Sequence, residues 1–147
     1  MGSNVAIGSS FEKFFKRRLE INGWDVVRIP DGAKQLGQNK IIRVKSPFDF
    51  VATSINKAFF CDTKTTIGET YPYSAINKDQ VDKLLKIEQS GFISGFVIHF
   101  RQNDTYGFAS AKQLSEVMPG QSIKSKETVS LGKELNIEKL FSKVEEK

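Results

Sequence analysis

The sequence of 147 residues contains few of the side chains from which disulfides and zinc sites are built. It has one cysteine, Cys61, and one histidine, His99. A single cysteine excludes an internal disulfide, and this pair cannot supply a zinc site that needs several such ligands. A Ser-His-Asp or Cys-His hydrolase would have to use this one imidazole. We therefore expect any chemistry of this chain to depend on carboxylates, lysines and hydroxyls.

Long apolar runs are also missing. No stretch approaches the roughly 18–20 apolar residues that cross a bilayer, and the first residues lack the basic and apolar segments of a secretory signal. Hydrophobic residues make up 39% of the chain and 12 residues are phenylalanine, which is enough to fill a core and excludes wholesale disorder. We expect a soluble cytoplasmic protein, in the host cytoplasm if it is viral, with no membrane partner.

Positive charge is in excess and is concentrated toward the N-terminus. The net charge is +5, from 22 Lys and Arg against 17 Asp and Glu. Such an excess favours a polyanionic partner such as DNA. A solvated surface is the alternative interpretation of each basic residue. The candidates for contact with DNA phosphates are Lys13, Lys16 and Arg17 in the first predicted helix, and Lys34, Lys40, Arg43 and Lys45 in the following loop and strand.

Hydrophobic periodicity predicts a mixed α/β fold, with a small mixed β-sheet flanked by helices. The order is a helix, three or so strands, a helix and two strands. On the first helix, a stripe of Phe11, Phe14 and Phe15 is expected to face the protein core. Residues 31–38 are predicted to form a polar loop. The predicted helices are residues 9–23, 77–91 and 111–118, and the predicted strands are residues 24–29, 40–45, 48–53, 57–64, 95–100 and 106–109.

The C-terminal segment is expected to be peripheral. Beyond Pro119 the chain becomes polar and loses its periodicity until a short apolar group near its end. We therefore assign residues 1–118 to one domain and residues 119–147 to a polar extension. This extension is predicted to pack weakly and to contain a short terminal helix.

Two aspartates lie at matching positions on neighbouring predicted strands. Asp62 and Lys64 are two residues apart, so their side chains point to one face, about 7 Å apart along the strand. If the hairpin loop is centred on Ile55-Asn56 with an even number of residues, Asp49 lies directly opposite Asp62, with Cβ atoms about 5 Å apart. Like charges repel there, whereas a bound divalent cation would turn the repulsion into coordination.

Two alternatives to a metal-binding pair stay open. An odd hairpin loop or a bulge would move Asp49 to another face. Alternatively, Asp49 and Asp62 are ordinary strand carboxylates, with Lys64 as a salt-bridge partner.

A wider pattern surrounds the two acids. A helix with an early glutamate precedes Pro-Phe-Asp and Asp-Thr-Lys on adjacent strands, and a later helix begins with a glutamine in its first turn. The stretches concerned are residues 8–12 (GSSFE), 48–50 (FDF), 62–66 (DTKTT) and 76–81 (INKDQV). This pattern resembles the PD-(D/E)XK nuclease superfamily, and within it the Holliday junction resolvases of the archaeal and RecU-like types, over about residues 7–115. Asp62 stands where many relatives have glutamate.

The resemblance implies a restriction-endonuclease-like core and a role for each residue of the pattern. Asp49 and Asp62, with a backbone carbonyl near Thr63, would hold Mg²⁺ or Mn²⁺, and Glu12 would approach the ion directly or through water. Lys64 would orient or deprotonate the attacking water, or stabilise charge on the phosphate. Gln80 would contact metal-bound water or DNA; an ordinary polar residue of the first helical turn is its alternative. No organic cofactor is expected.

The predicted function is metal-dependent, structure-selective cleavage of four-way DNA junctions. Because a junction must be cut at two symmetric phosphates, we expect a homodimer with a two-fold axis. One alternative is a restriction- or repair-type nuclease for duplex or flapped DNA. Another is a non-catalytic DNA-binding module whose acids serve folding.

Three further residue types have competing interpretations. Tyr71 and Tyr73 either stack on unpaired bases or pack within their loop, and loop packing is favoured. His99 lies in the most hydrophobic strand, which favours a satisfied structural histidine over a general base. Cys61 falls on the strand face opposite Asp62 and is expected to be buried.

Overall fold

The described part of the chain forms ten strands and four α-helices. The computed structural model describes residues 4–29, 32–35, 41–44 and 48–145. The helices are α1 (Asn4–Ile21), α2 (Lys78–Gln89), α3 (Ala111–Ser115) and α4 (Glu138–Glu145). The strands are β1 (Asp25–Arg28), β2 (Gly32–Gln35), β3 (Ile41–Val44), β4 (Phe50–Ser54), β5 (Lys57–Thr66), β6 (Thr70–Pro72), β7 (Ile93–Phe100), β8 (Thr105–Ser110), β9 (Ser122–Lys124) and β10 (Val129–Gly132).

A six-stranded mixed sheet lies at the centre, in the order β1-β4-β5-β7-β8-β10. Only the β5–β7 pairing within it is parallel, and α2 forms the crossover between these two strands. The other neighbours in this sheet pair antiparallel. Two separate antiparallel pairs, β2–β3 and β6–β9, lie outside it. This is the predicted mixed α/β architecture.

Each face of the central sheet is covered by a hydrophobic core. On one face α1 packs through Phe11, Phe15 and Leu19 against strand residues such as Phe59 and Val97. On the other face α2 and α3 cover the alternate residues of β7 and its neighbours. The second core includes Val81, Leu84, Phe96, Ile98, Phe100, Ala109 and Leu114. β7 is therefore buried on both sides, as its continuous apolar sequence predicts.

The first helix starts earlier than predicted. α1 begins at Asn4 rather than at a cap near Ser9, and it ends before Gly23, whose φ of 89° closes the helix as expected. The prediction was wrong because Gly8 costs a helix only about 1 kcal/mol and does not stop it. The prediction that Phe14 faces the core was also wrong, since Phe14 is 40% exposed at the flank of the helix.

A second difference is the β2–β3 hairpin, which the sequence assigned partly to a polar loop. Residues 32–35 form β2 and pair with β3. The sequence of β2, Gly-Ala-Lys-Gln, gives little strand signal, because glycine, alanine and lysine are depleted in strands.

The register of the β4–β5 hairpin is the predicted one. Phe50 pairs with Cys61 and Ser54 pairs with Lys57, and the two residues between them, Ile55 and Asn56, form the turn. Asn56 adopts a left-handed φ of 60°, a turn conformation that asparagine tolerates. The loop is even, and the ladder contains no bulge.

The expected weak packing of the C-terminal segment was wrong. β10 adds an edge strand to the central sheet, and β9 pairs with β6. Leu131, Leu135, Ile137 and Leu140 are buried in the α1-side core. The segment escaped recognition because its apolar residues are sparse and β10 is interrupted by a register shift between Ser130 and Gly132. The predicted terminal helix is present as α4, and the domain boundary at residue 118 stays a prediction.

Within the described ranges, each helix is too short or too polar to cross a lipid bilayer.

The burial of Leu131 gives a test of this packing. Leu131 is fully buried, so Leu131→Ala should lower the free energy of unfolding by about 2–5 kcal/mol, as large-to-small core substitutions do. Urea unfolding followed by circular dichroism measures this loss. Ile55→Ala, at an 87% exposed turn position, is the control and should change little. Equal effects of the two substitutions would contradict the placement of β10 in the core.

Candidate active site

The candidate site lies where the β4–β5 ladder ends and β5 continues. Beyond Cys61, β5 runs on to Thr66 beside β7. Asp49 directly precedes β4, and its backbone N–H donates to the Cys61 carbonyl over 3.1 Å. Its Oδ2 accepts hydrogen bonds from the Thr63 backbone N–H at 3.2 Å and from Thr63 Oγ1 at 3.3 Å. The Asp49 carboxylate thus accepts the backbone hydrogen bond of β5 that a further paired residue of β4 would otherwise accept.

Asp49 and Asp62 form an acidic pair at this point. Asp62 is 1% exposed, and its Oδ1 has no hydrogen-bond partner within the part of the chain that the structure describes. Burial, followed by the charge of Asp62 and a hydrogen bond to its carboxyl group, raises the pKa of Asp49 from 3.8 to about 7. The Thr63 N–H opposes this rise but does not outweigh it. Asp49 therefore keeps its proton to higher pH than an ordinary aspartate, because a buried carboxyl group beside a second carboxylate resists ionising.

Lys64 is attached to the same pair. Its Nζ lies 2.6 Å from Asp62 Oδ2 and 5.2 Å from the centre of the Phe96 ring. The Lys64 side chain is 23% exposed, against 2% for Asp62. The amine therefore reaches from solvent toward a buried carboxylate, with the aromatic ring beneath it.

Glu12 approaches from the α1 side. Its Oε2 lies 3.4 Å from Arg28 Nε on β1. Its negative charge also contributes to the raised pKa of Asp49, so it lies within electrostatic range of the acidic pair. Among the described residues, no group of three or more His, Cys, Asp or Glu side chains is placed to hold a metal ion. Coordination by Glu12 therefore stays a prediction.

The residues present nevertheless fit a divalent cation. Asp62 has a buried carboxylate oxygen without a partner, and the neighbouring Asp49 has a raised pKa. A positive charge between the two groups would bind this oxygen and favour the ionised form of both carboxylates. Carboxylate oxygens are the ligands that hard ions such as Mg²⁺ use in proteins.

Gln80 is held inside the first turn of α2. It is 5% exposed, its backbone N–H donates to the Asn77 side chain at 3.2 Å, and its Oε1 has no partner among the described residues. The predicted contact of Gln80 with DNA or with metal-bound water stays a prediction.

The predicted DNA-binding lysines and arginines divide into two groups. Lys13, Lys16 and Arg17 are exposed on α1. Lys34 lies on β2 and Arg43 on β3, two strands of which only the backbone pairing is described. Lys40 and Lys45 lie outside the described residues.

The competing interpretations of the remaining residues can now be compared with their contacts. His99 Nε2 lies 2.8 Å from Asp104 Oδ1 and its ring stacks on Tyr106, as expected of a structural histidine. Cys61 is fully buried, and burial raises the pKa of its thiol. Tyr71 is buried and its hydroxyl donates to the Ala75 carbonyl, so it packs rather than stacks on bases.

Two neighbours of the site were not predicted. Arg28 pairs with Glu12, and Tyr71 lies close enough for the charge of Asp62 to add to the burial that raises its pKa. No local pattern marks either residue, because both contacts depend on how distant elements pack. From the alternating pattern of β1, one could have predicted that Arg28 lies on an exposed strand face, but not that it contacts Glu12.

Comparison with known proteins extends this description. A family model described as Recombination protein U matches residues 14–145, so the similarity continues past the predicted limit near residue 115. No curated protein sequence matches the chain significantly. Among solved structures, the chain is similar to Archaeoglobus fulgidus Hjc, described as a Holliday junction resolvase from an archaeal hyperthermophile. The TM-score is 0.60 at 17% identity, covering 84% of this chain and 96% of that chain.

These matches confirm the predicted resemblance and the predicted fold. The mixed sheet with flanking helices is the fold of the archaeal resolvase. Together the family and fold matches support the predicted function, a nuclease of the Holliday junction resolvase type. Because the family model spans most of the sequence, including the acidic pair, this chain belongs to the Recombination protein U family.

Proposed function

We propose that this protein is a metal-dependent endonuclease that resolves four-way DNA junctions by hydrolysing two symmetric phosphodiesters. The observation that carries the proposal is the pairing of Asp49 with Asp62 at the end of a ladder, with the Lys64 amine 2.6 Å from Asp62. Family membership supports the class of substrate.

The acidic pair and Lys64 have separate tasks in this proposal. Asp49 and Asp62 would hold Mg²⁺ or Mn²⁺, which when bound supplies positive charge to the reacting phosphate and makes water more acidic. Thr63 keeps Asp49 in place through two hydrogen bonds. Lys64, held on Asp62 and partly exposed to solvent, orients the attacking water or donates hydrogen bonds to the phosphate oxygens.

The proposal includes two copies of the chain on one junction. A four-way junction presents two symmetric phosphates, and a two-fold dimer places one site at each of them. The exposed cations of α1 then add sequence-independent contacts to DNA phosphates. We also propose a cytoplasmic location for this activity.

Asp62→Asn is expected to abolish cleavage of a synthetic four-way junction in Mg²⁺ while junction binding changes little. The substitution keeps the shape of the side chain and removes the charge that would hold the ion. Gel assays of nicking and of binding measure the two quantities, with the exposed Asp82→Asn as the matched control. Wild-type levels of cleavage by Asp62→Asn would refute the site. Flapped and linear duplexes assayed at equal concentration distinguish a general nuclease from a resolvase.

Lys64→Met should reduce the rate of junction cleavage by roughly 100- to 10,000-fold, the usual contribution of a positioned proton donor or acceptor. Binding of Mn²⁺, measured by calorimetry, should persist, since the carboxylates are unchanged. Lys57→Met is the control, because Lys57 also forms an ion pair, with Glu138 at 3.2 Å, but far from the acids. A Lys64 variant that cleaves as fast as the Lys57 variant would exclude Lys64 from the reaction.

The raised pKa of Asp49 predicts how stability depends on pH when metal is removed. Because the folded protein holds this proton more tightly than the unfolded chain, Asp49 stabilises the fold fully below about pH 4. This contribution is lost as the pH rises through about 7. In a chelator, urea unfolding should therefore show the free energy of unfolding of the wild type falling relative to that of Asp49→Asn over this interval. Parallel pH profiles of the two proteins would contradict the raised pKa of Asp49.

A further inference from the structure

A recess separate from the candidate active site lies beside α1, on the opposite flank of this helix from Glu12. It has a volume of about 380 Å³, and its lining includes Phe14, His99, Arg101 and Tyr106. The lining is mainly aromatic and contains a guanidinium group whose Nε donates to the Thr66 carbonyl over 3.4 Å. None of the roles proposed above for the acidic pair uses these residues.

Three rings of this recess are stacked nearly in parallel. His99 lies on Tyr106 with centroids 4.6 Å apart and planes inclined by 16°. Tyr106 in turn lies against Phe14 at 5.7 Å and 14°. His99 is fixed from its other side by Asp104, and Tyr106 is buried. Phe14 is 40% exposed, so the stack ends in a ring that is partly open to solvent and packs on Tyr106.

The exposed surface of α1 joins this stack to the candidate active site. At about 100° per residue, Phe14 and Glu12 fall on opposite flanks of the helix. Lys13, Lys16 and Arg17 are exposed on the outward surface between these flanks. A helix with its side chains is about 10–12 Å wide, a distance that one or two nucleotides of an extended strand cover.

We propose that this recess binds an unpaired nucleobase of the DNA substrate, stacked on Phe14, with a neighbouring phosphate at Arg101. Every nucleobase has a flat face, and stacking on an exposed aromatic side chain is tolerant of sequence. The cations of α1 would then lie along the phosphates between this base and the acidic pair. The inference deepens the proposed function, because it assumes that the DNA is cut at that pair.

Charge favours DNA over a second copy of the chain as the occupant. At a two-fold interface each copy presents the same patch to the other. Lys13 and Arg17 would then face an identical set of cations, whereas a DNA strand brings a negative charge with each nucleotide. The aromatic stack and the surrounding positive charge are together suited to a single-stranded segment or an extruded base.

The test uses the full chain in a chelator, so that no DNA is cut. Binding of a short oligothymidine is measured by fluorescence anisotropy, and 2-aminopurine at the branch point of a four-way junction reports stacking. Phe14→Leu keeps an apolar side chain but removes the ring. Ile21→Ala, a 69% exposed apolar position further along α1, is the control.

Phe14→Leu should bind oligothymidine roughly tenfold more weakly than the wild type, and the quenching of 2-aminopurine should be lost. Phe14→Trp should retain both, while Ile21→Ala should resemble the wild type. Equal affinities of Phe14→Leu and Ile21→Ala would overturn the inference. So would a change from dimer to monomer in Phe14→Leu at unchanged affinity per site, which would assign the recess to a second copy.

Cleavage measured separately in Mg²⁺ distinguishes this inference from the proposed nuclease activity. If the wild type cuts junctions but Phe14→Leu binds oligothymidine as tightly as the wild type, the stacking site alone is refuted. If Phe14-dependent binding and quenching are found in a wild type that cuts no junction, the stacking site is supported and the nuclease activity fails.

Discussion

The close approach of two carboxyl groups is the constraint on which the rest of this site depends. Asp49 directly precedes β4, and both parts of the residue bond to β5: its backbone N–H donates to Cys61, and its side chain accepts from Thr63. A carboxylate at this point can face the buried Asp62 without interrupting the ladder. The resulting repulsion lowers the stability of the fold when both groups are ionised. A cation or a proton between the two groups removes this repulsion.

Much of this geometry is present in local sequence. The tight Ile55-Asn56 turn fixes the hairpin register, and register alone brings Asp49 opposite Asp62. The spacing of Asp62 and Lys64 places both on one strand face, and their contact at 2.6 Å follows from it. The central strand and the capped start of α2 were equally readable, because each depends on residues adjacent in the chain.

The features that sequence did not reveal are contacts between distant segments. The pairing of Arg28 with Glu12 depends on how α1 lies across β1. The stacking of Phe14 on Tyr106 depends on the approach of α1 to β8, and periodicity alone placed Phe14 in the core. The C-terminal segment was misjudged for a similar reason, since few of its residues are apolar and most of those whose burial is described are buried.

The same C-terminal segment bears on the order in which the protein acquires its structure. The core beneath α1 joins Phe11 to Leu140, and the Trp24 indole N–H donates to Glu138. Contacts between residues so far apart in sequence are slow to form. During synthesis this half of the core cannot close until Leu140 has left the ribosome. A nascent chain that stops short of α4 would expose aromatic rings that are buried in the folded protein, and such exposed surface favours aggregation.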